Sequence, residues 1–285
     1  MKRILTGVAL ATTAALVTAT PAMAAAPKDP AVAVKKQLKP GKGVKFSERT
    51  TIIDGTTRDI FVRRSGTLQF SKSGIAASDS TGRFNISLSQ LGELPEGETG
   101  EMIKALAREE RTIRIGTTSY LSGGMWEGFL AEGQTWFKAP KGPTGGLTGM
   151  FGQPLNLAEP ATIKTLLKGA KTTASGYAGT TKVGDIWKAS PWLRSTWLSE
   201  PTAKAKKGSI SWKITVNSAG LPTRLVTTFP GSAIGGDGSL SVDTRYTNWG
   251  TSVSIKAPTN EVADEFKDGG DDISKLPIPL GSLAG

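Results

Sequence analysis

The sequence predicts an α+β domain that is mainly β, in which a curved antiparallel sheet is covered on one face by two or three helices. Apolar and polar residues alternate through most of the chain, which is the period of a half-buried strand. Helical spacing is confined to a few short segments, and without long helices between them successive strands pair in antiparallel order. At 38% hydrophobic residues, the 285-residue chain carries enough apolar material for one substantial core.

The strand pattern is clearest over residues 209–217. Every second residue there is apolar, so the apolar side chains share one face of a strand and the polar side chains share the other. Shorter alternations predict further strands in the same way. Their apolar members are Val44 and Phe46; Leu68 and Phe70; Phe84, Ile86 and Leu88; Leu240, Val242 and Tyr246; and Val253 and Ile255. The adjacent aromatics Trp136 and Phe137 also lie in a strand-like segment.

Four segments have helical signals. The strongest begins at Pro160, a favoured first position, and places Ile163, Leu166 and Leu167 on one face of a helix that ends near Gly169. Weaker patterns predict helices over 31–38, 102–106 and 261–266. The Gly- and Pro-rich stretch 140–152 predicts a long mobile loop that could act as a lid or entrance.

The first 24 residues have the composition of a secretory signal peptide. Lys2 and Arg3 give a positive start, residues 4–17 form an apolar run, and small residues provide a cleavage site near Ala24. We therefore expect a secreted protein, either free outside the cell or associated with the cell wall. Because the chain has no Cys, neither a lipid anchor at the cleavage point nor a disulfide is expected. No later stretch reaches the roughly 20 apolar residues of a membrane span, so the mature chain should have none.

The expected organisation has four parts. A signal peptide at 1–24 is followed by a short Ala- and Pro-rich leader at 25–34, a single domain at 35–262, and an acidic, Gly-rich tail at 263–285 that stays disordered. The tail acids Asp268, Asp271 and Asp272 lack the spaced ligand loop and closing Glu of a calcium site. No metal is therefore predicted.

The net charge of +11 points to an anionic partner. Outside a cell that partner would be a wall polymer or a lipid headgroup, and export argues against nucleic acid. A solvated basic surface without a partner is the alternative. The basic residues are densest in three clusters: Lys35, Lys36, Lys39, Lys42 and Lys45; Arg58, Arg63 and Arg64; and Lys204, Lys206 and Lys207.

Composition excludes several classes of enzyme. Without His the chain cannot build a Ser-His-Asp triad, and without Cys it has neither a thiol nucleophile nor a thiolate metal site. It also lacks a Ser-x-x-Lys motif and a Gly-rich phosphate loop. We expect no enzyme, no catalytic residue and no cofactor. A carboxylate pair that hydrolyses wall glycans is the remaining enzymatic alternative, with the candidates Glu127, Glu132, Asp185, Glu200 and Asp243.

Several stretches, taken in order, resemble the LolA-like lipoprotein carriers and the related lipid-carrying lipoproteins of high-GC Gram-positive bacteria. The resemblance covers about residues 35–262. The matching stretches are 116–121; Gly133-Gln134-Thr135-Trp136-Phe137-Lys138; Glu159-Pro160-Ala161-Thr162 with Leu166 and Leu167; Tyr177-Ala178-Gly179-Thr180-Thr181; Gly220-Leu221-Pro222-Thr223-Arg224; and 246–250 with Ile255-Lys256-Ala257-Pro258.

This resemblance implies an incomplete, half-open antiparallel β-barrel that helices cover on its concave side, with an apolar cavity for acyl chains. The matching cover is the helix at 160–169, and the matching inward strands contain Trp136 and residues 210–216. The chain departs from the tethered relatives because it lacks the Cys that would carry their lipid anchor.

The favoured function is a non-enzymatic binding protein that holds a lipid or another hydrophobic ligand between the curved sheet and its helices. The alternative is a cell-envelope surface module whose barrel is filled by side chains and whose basic clusters dock to anionic polymers or membrane surfaces. Ten residues are predicted to line the cavity: Leu68, Phe70, Tyr120, Trp136, Ile163, Leu166, Leu167, Trp212, Ile214 and Tyr246.

Overall fold

The computed structural model describes residues 27–90, 93–197, 199–231, 238–270 and 273. The predicted signal peptide at 1–24, residues 25 and 26 of the leader, Asp271 and Asp272, and residues 274–285 lie outside this described part. Within it, no helix is long and apolar enough to cross a membrane.

Twelve strands of the described chain form one curved sheet that does not close into a barrel, which confirms the predicted fold class. All neighbouring strands are antiparallel except the short last strand, which lies parallel to the sixth. The strands are β1 (Lys42–Asp54), β2 (Thr57–Phe70), β3 (Ile75–Phe84), β4 (Glu110–Ile115), β5 (Thr118–Gly123), β6 (Trp136–Pro140), β7 (Lys171–Thr173), β8 (Gly176–Lys182), β9 (Ser209–Val216), β10 (Pro222–Pro230), β11 (Ser239–Ser252) and β12 (Val262–Ala263). Their order in the sheet is β12-β6-β5-β4-β3-β2-β1-β11-β10-β9-β8-β7.

Short helices accompany the sheet. Three of them begin with Pro at a first-turn position, where its missing N–H costs nothing. Side chains cap two of these helices: Asp29 accepts a hydrogen bond from the backbone N–H of Ala31 at 2.8 Å, and Ser190 accepts one from Leu193 at 3.0 Å. The helices are α1 (Pro30–Gln37), α2 (Glu98–Leu106), α3 (Gly146–Met150), α4 (Pro160–Leu167), α5 (Val183–Ala189), α6 (Pro191–Thr196) and α7 (Ala203–Lys206).

The predicted helices at 31–38, 102–106 and 160–169 are confirmed as α1, α2 and α4. The helix predicted at 261–266 is wrong, because Val262 and Ala263 form β12 and pair with Trp136 and Phe137. The strand predicted through Leu88 ends at Phe84. Helices α5 to α7 were not predicted, since segments of four to seven residues are too short for a helical period to emerge.

The alternation of strand residues places the core on the concave side of the sheet. In β9, Ile210, Trp212 and Ile214 are buried while Ser209 and Ser211 are exposed, as predicted. The central strands differ, because their inward positions also hold polar side chains. These buried polar residues are Glu48, Thr50, Arg64, Ser78, Ser80, Glu110, Thr112, Thr227 and Thr244.

The stretch 140–152 is not the exposed lid that its composition suggested. Residues 142–149 and 151–159 are buried, and this segment contacts the concave face of the sheet. The Thr50 hydroxyl donates to the carbonyl of Phe151 at 2.7 Å, and the Gln153 amide bonds to Thr227 and Thr244 at 2.9 and 3.1 Å. The segment therefore fills the concave side, and we name it the plug segment (residues 142–159).

Glycine allows this close packing. Gly145 has φ +78°, and a Cβ at this position would lie 2.1 Å from Nη2 of Arg64. A Cβ at Gly152 would lie 2.4 Å from Nη1 of the same guanidinium. These glycines indicated a loop in the sequence, but their role is to let backbone approach a buried cation.

The packed domain extends past residue 262. Phe266 is buried and stacks on Phe137 with ring centroids 4.0 Å apart, and Phe129 meets it edge-on at 5.8 Å. The disordered tail predicted from residue 263 onwards is therefore incorrect for Ala263 and Phe266, which belong to the domain. Two aromatic contacts and a parallel strand pair outweigh the acidic, Gly-rich composition that follows.

Candidate functional site

Most of the ten residues predicted to line a cavity lie in the hydrophobic core of the described chain. Leu68, Phe70, Ile163, Leu166, Trp212, Ile214 and Tyr246 are buried together in the hydrophobic core, and Leu167 packs against its edge. Two of these residues, Leu68 and Tyr246, border a void of about 10 Å³. That volume is about one water-sized probe, so the core at these positions is filled by side chains and by the plug segment.

Tyr120 and Trp136 lie on the opposite face of the sheet from the one predicted. Their neighbours Leu121 and Phe137 are fully buried on the concave side, while Tyr120 and Trp136 are half-buried. The guanidinium of Arg111 lies 5.7 Å from the Trp136 ring centroid. The strand prediction was right, but a shift of one residue in phase moves every side chain to the other face.

A much larger cleft, of about 820 Å³, opens between the sheet and its covering helices. Three parts of the sheet form one side of the cleft: the β2–β3 turn, the start of β3, and the β4–β5 turn. The other side is the end of α1, the start of α4 and helix α6. This volume falls within the usual range of small-molecule sites, about 300–1,000 Å³.

The cleft is strongly basic. Six cations line it, each from a different part of the chain, against one carboxylate, Glu159. None of the six has a carboxylate within 4.0 Å anywhere in the described residues. The six cations, which we call the cleft cations, are Lys35, Lys72, Arg114, Lys141, Lys164 and Arg194.

Arg114 is the one cleft cation that is half-buried. Its Nη1 donates to the Ser119 hydroxyl at 3.1 Å and to the carbonyl of Gly142. Burial lowers the pKa of Arg114 from its usual value, but a guanidinium remains charged at neutral pH. The hydrogen bonds hold this cation at the wall of the cleft.

Glu159 is occupied by hydrogen bonds from the protein. Its Oε1 accepts from the backbone N–H of Trp192 at 2.8 Å, and its Oε2 accepts from Thr162 at 2.9 Å and from the Ser190 hydroxyl. Burial raises the pKa of Glu159, and these hydrogen bonds oppose that rise. The carboxylate therefore ties the start of α4 to α6, and its single negative charge can offset only one of the six cleft cations.

The cleft also has apolar walls. Leu38, Ile75, Pro160 and Trp192 line it beside the cleft cations. Trp192 is half-buried and borders both the cleft and the 10 Å³ void behind it. Its indole thus separates the open cleft from the filled core.

Sequence reasoning missed most of this site because the cleft cations come from six separate segments. Only Lys35 belongs to a basic cluster that the sequence singled out. A signal was available for Lys164, since the helical period that buries Ile163 and Leu166 leaves position 164 on the exposed face. The turns that carry Lys72 and Lys141 gave no comparable signal.

The carboxylates considered for glycan hydrolysis are used in other ways. Glu127 pairs with Arg108 at 2.8 Å, Asp243 with Arg224 at 2.7 Å, and Glu200 with Lys206. Asp185 and Glu132 are exposed. No group of three or more acidic, His or Cys residues that could hold a metal ion occurs within the described part of the chain.

Comparison with known proteins gives limited similarity. No family model and no curated protein matches the chain. Among solved structures, a LolA superfamily protein from Nitrosomonas europaea is 11% identical, with 79% of this chain and 93% of that chain covered and a TM-score of 0.30. A porin-like protein from Bacteroides uniformis is 8% identical, with 73% of this chain and 97% of that chain covered and a TM-score of 0.24. Values this low establish neither a common family nor a common function.

Proposed function

We propose that this chain is a secreted, non-catalytic binding protein for an amphiphile, a hydrophobic molecule with an anionic headgroup, held between the curved sheet and its helices. The observation that carries the proposal is the cleft of about 820 Å³, in which six cations, with no carboxylate within 4.0 Å among the described residues, lie beside apolar walls. The proposal of export rests on the sequence of the first 24 residues.

The charge of the cleft supports an anionic headgroup. Six cations face one carboxylate, so a net positive potential remains in the cleft. Arg114 contributes a half-buried guanidinium, which is less screened by solvent than the exposed lysines. A phosphate, sulfate or carboxylate would be attracted to this end of the cleft.

The apolar walls support a hydrophobic chain on the same ligand. Burial of about a dozen methylenes yields roughly 10 kcal/mol, at about 0.8 kcal/mol for each. Association itself costs about 4–15 kcal/mol in lost freedom of motion. The apolar contribution and the binding cost are thus of similar size, and attraction of the headgroup decides whether binding is tight.

The chain of the ligand is proposed to lie in the cleft rather than inside the half-barrel. The plug segment fills the concave side, and the void beyond Trp192 is only about 10 Å³. Trp192 would provide the inner apolar wall against which the chain packs. This differs from the acyl cavity that the resemblance implied, which would have been lined by core residues such as Leu68 and Trp212.

Equilibrium binding of single-chain lipids tests the proposal. The mature protein would be titrated with a lysophosphatidylglycerol. A triple variant that carries Lys72→Gln, Lys141→Gln and Lys164→Gln would be titrated in the same way. We expect the triple variant to lose about tenfold or more in affinity, since three charge contacts are removed. The matched control is Lys171→Gln, Lys204→Gln and Lys207→Gln, three exposed lysines that do not line the cleft. Equal affinity in both triple variants would argue against the cleft as the site.

A further inference from the structure

A second basic feature lies on the convex face, away from the cleft. Arg49 on β1 is directly opposite Arg63 on β2, and Arg63 is directly opposite Arg83 on β3. All three side chains are exposed, and their chain neighbours Glu48, Thr50, Val62 and Phe84 are buried on the concave side. Three arginines therefore form a continuous row across three strands, which we call the arginine row (Arg49, Arg63 and Arg83).

The arginine row is unfavourable for the fold by itself. Like charges directly opposite each other on neighbouring strands destabilise a sheet. None of the three arginines has a carboxylate within 4.0 Å in the part of the chain that the structure describes. Asp243 on β11, directly opposite Arg49, offsets part of this repulsion.

Two carboxylates on the same face of the sheet, Asp243 and Asp79, are engaged by arginines outside the row. Asp243 on β11 is directly opposite Arg49, yet it accepts two hydrogen bonds from Arg224, at 2.8 and 2.7 Å. Asp79 on β3 likewise accepts two from Arg111, at 3.0 and 2.7 Å. A costly local feature without a structural benefit is the pattern expected of a functional surface.

We propose that the arginine row binds a linear anionic polymer that lies across the strands on the convex face. Neighbouring strands are about 4.8 Å apart, so the three guanidinium groups form a line roughly 10 Å long. Each guanidinium has the planar fork that holds a phosphate, sulfate or carboxylate through two hydrogen bonds. A polymer with an anionic group in each repeat would meet one arginine after another.

The residues beside the row favour a polymer contacted through its charges. Ser47, Ser65 and Thr81 form the next row on the same face, in direct register with one another, and Arg245 on β11 is opposite Ser47. These small hydroxyl side chains leave room for a chain and offer hydrogen bonds to it. Neither row contains an aromatic side chain for stacking nucleobases or an apolar one for entering a membrane.

The polymer surface is independent of the proposed amphiphile site. The arginine row is on the convex face, whereas the cleft lies between the sheet and the helices that cover its concave face. The two ligands would therefore bind at the same time. Variants of one surface should leave the other unchanged.

Binding of fluorescently labelled polyphosphate, followed by anisotropy at several salt concentrations, tests the proposal. The test variant carries Arg49→Gln, Arg63→Gln and Arg83→Gln, and the matched control is the triple cleft variant at Lys72, Lys141 and Lys164, which removes the same charge. We expect the arginine variant to lose about tenfold or more in affinity, with a log–log salt dependence shallower by about three. The cleft variant should bind polyphosphate within about threefold of the unaltered protein.

Three results would overturn the inference. One is an equal loss of polyphosphate binding in both triple variants, which would show only an effect of net charge. Another is unchanged polyphosphate affinity in the arginine variant, provided that thermal unfolding shows this variant to be folded. If the triple variant does not fold, the single Arg63→Gln variant is used for the same test. The third is tighter binding of anionic vesicles or single-stranded DNA than of polyphosphate. Lysophosphatidylglycerol binding in the arginine variant reports separately on the cleft.

Discussion

Replacement of Glu48 by Ala should strongly destabilise the protein, because it would leave the Arg64 guanidinium buried without a counter-charge. Both side chains are only 3% exposed, and Nη1 of Arg64 donates to Oε1 of Glu48 at 2.9 Å. The Nε and Nη2 atoms of Arg64 have no hydrogen-bond partner in the described structure. Glu48 is therefore the group that compensates this cation.

The magnitude follows from the burial of the pair. Removal of one partner of a buried ion pair costs about 3–5 kcal/mol, since the remaining charge stays in a poorly solvated site. The same change also removes the acceptor of the Thr244 hydroxyl, 3.1 Å from Oε2 of Glu48. By contrast, Asp243→Ala breaks the more exposed pair with Arg224 and should cost only about 0.2–1 kcal/mol.

Urea unfolding of four proteins measures this effect: the unaltered chain, Glu48→Ala, Glu48→Leu with Arg64→Met, and the Asp243→Ala control. The double variant should recover most of the loss, because apolar replacement of a whole buried pair is often neutral or stabilising. A cost below about 1 kcal/mol for Glu48→Ala would refute the reasoning. It would mean that water reaches Arg64 and that the plug segment does not seal the concave face.

Three further predictions concern the plug segment, a buried carboxylate and the wall of the cleft. Gly145→Ala should lower the free energy of unfolding by more than about 2 kcal/mol, because the added Cβ would lie 2.1 Å from Nη2 of Arg64. The control Gly116→Ala, at φ +58° with open space around it, should cost only about 1 kcal/mol in the same chemical unfolding experiment. Burial raises the pKa of Glu110 above its ordinary 4.5, so the folded state binds the carboxyl proton more tightly than the unfolded state does. The stability that this proton contributes is full below pH 4.5 and is lost as the pH rises through the pKa of the folded state. Unfolding free energies between pH 4 and 7 should therefore depend less on pH in Glu110→Gln, and an unaltered slope would contradict that assignment. Trp192→Phe should remove the change in tryptophan emission that accompanies amphiphile binding, and persistence of the full change would show that the ligand contacts a different indole.

The strands were predictable wherever alternation is strict. The period over 209–217 leaves one apolar face, so β9 follows directly from the sequence. Alternation does not fix the phase where two adjacent residues are both apolar. Trp136 and Phe137 are adjacent aromatics, and only the packed structure shows that Phe137 points inward to stack on Phe266.

The filled concave side was not predictable from composition. Gly145 and Gly152 lie in a stretch whose composition is typical of a loop. Their role is to leave room for the guanidinium of Arg64, which is distant in the sequence. Arg64 itself belonged to a basic cluster of the sequence, but the strand alternation turns it inward and Arg63 outward. A local pattern cannot indicate that a buried cation and a glycine-rich segment will meet.

The cleft was unpredictable for a similar reason. Its cations are contributed by α1, α4, α6, strand β4 and two turns, which only the sheet order brings together. The arginine row also needs the strand register, because Arg49, Arg63 and Arg83 are far apart in the chain. Net charge alone indicated an anionic partner, without its position.

The most direct test of the proposed function is a comparison of two lipids that differ only in headgroup charge. Isothermal titration of the mature protein would use lysophosphatidylglycerol and lysophosphatidylcholine with the same acyl chain. Binding of one molecule of the anionic lipid, about tenfold or more tighter than the zwitterionic one, is the result expected from six cations beside apolar walls. Equal affinities for the two lipids, or no binding of either, would contradict it.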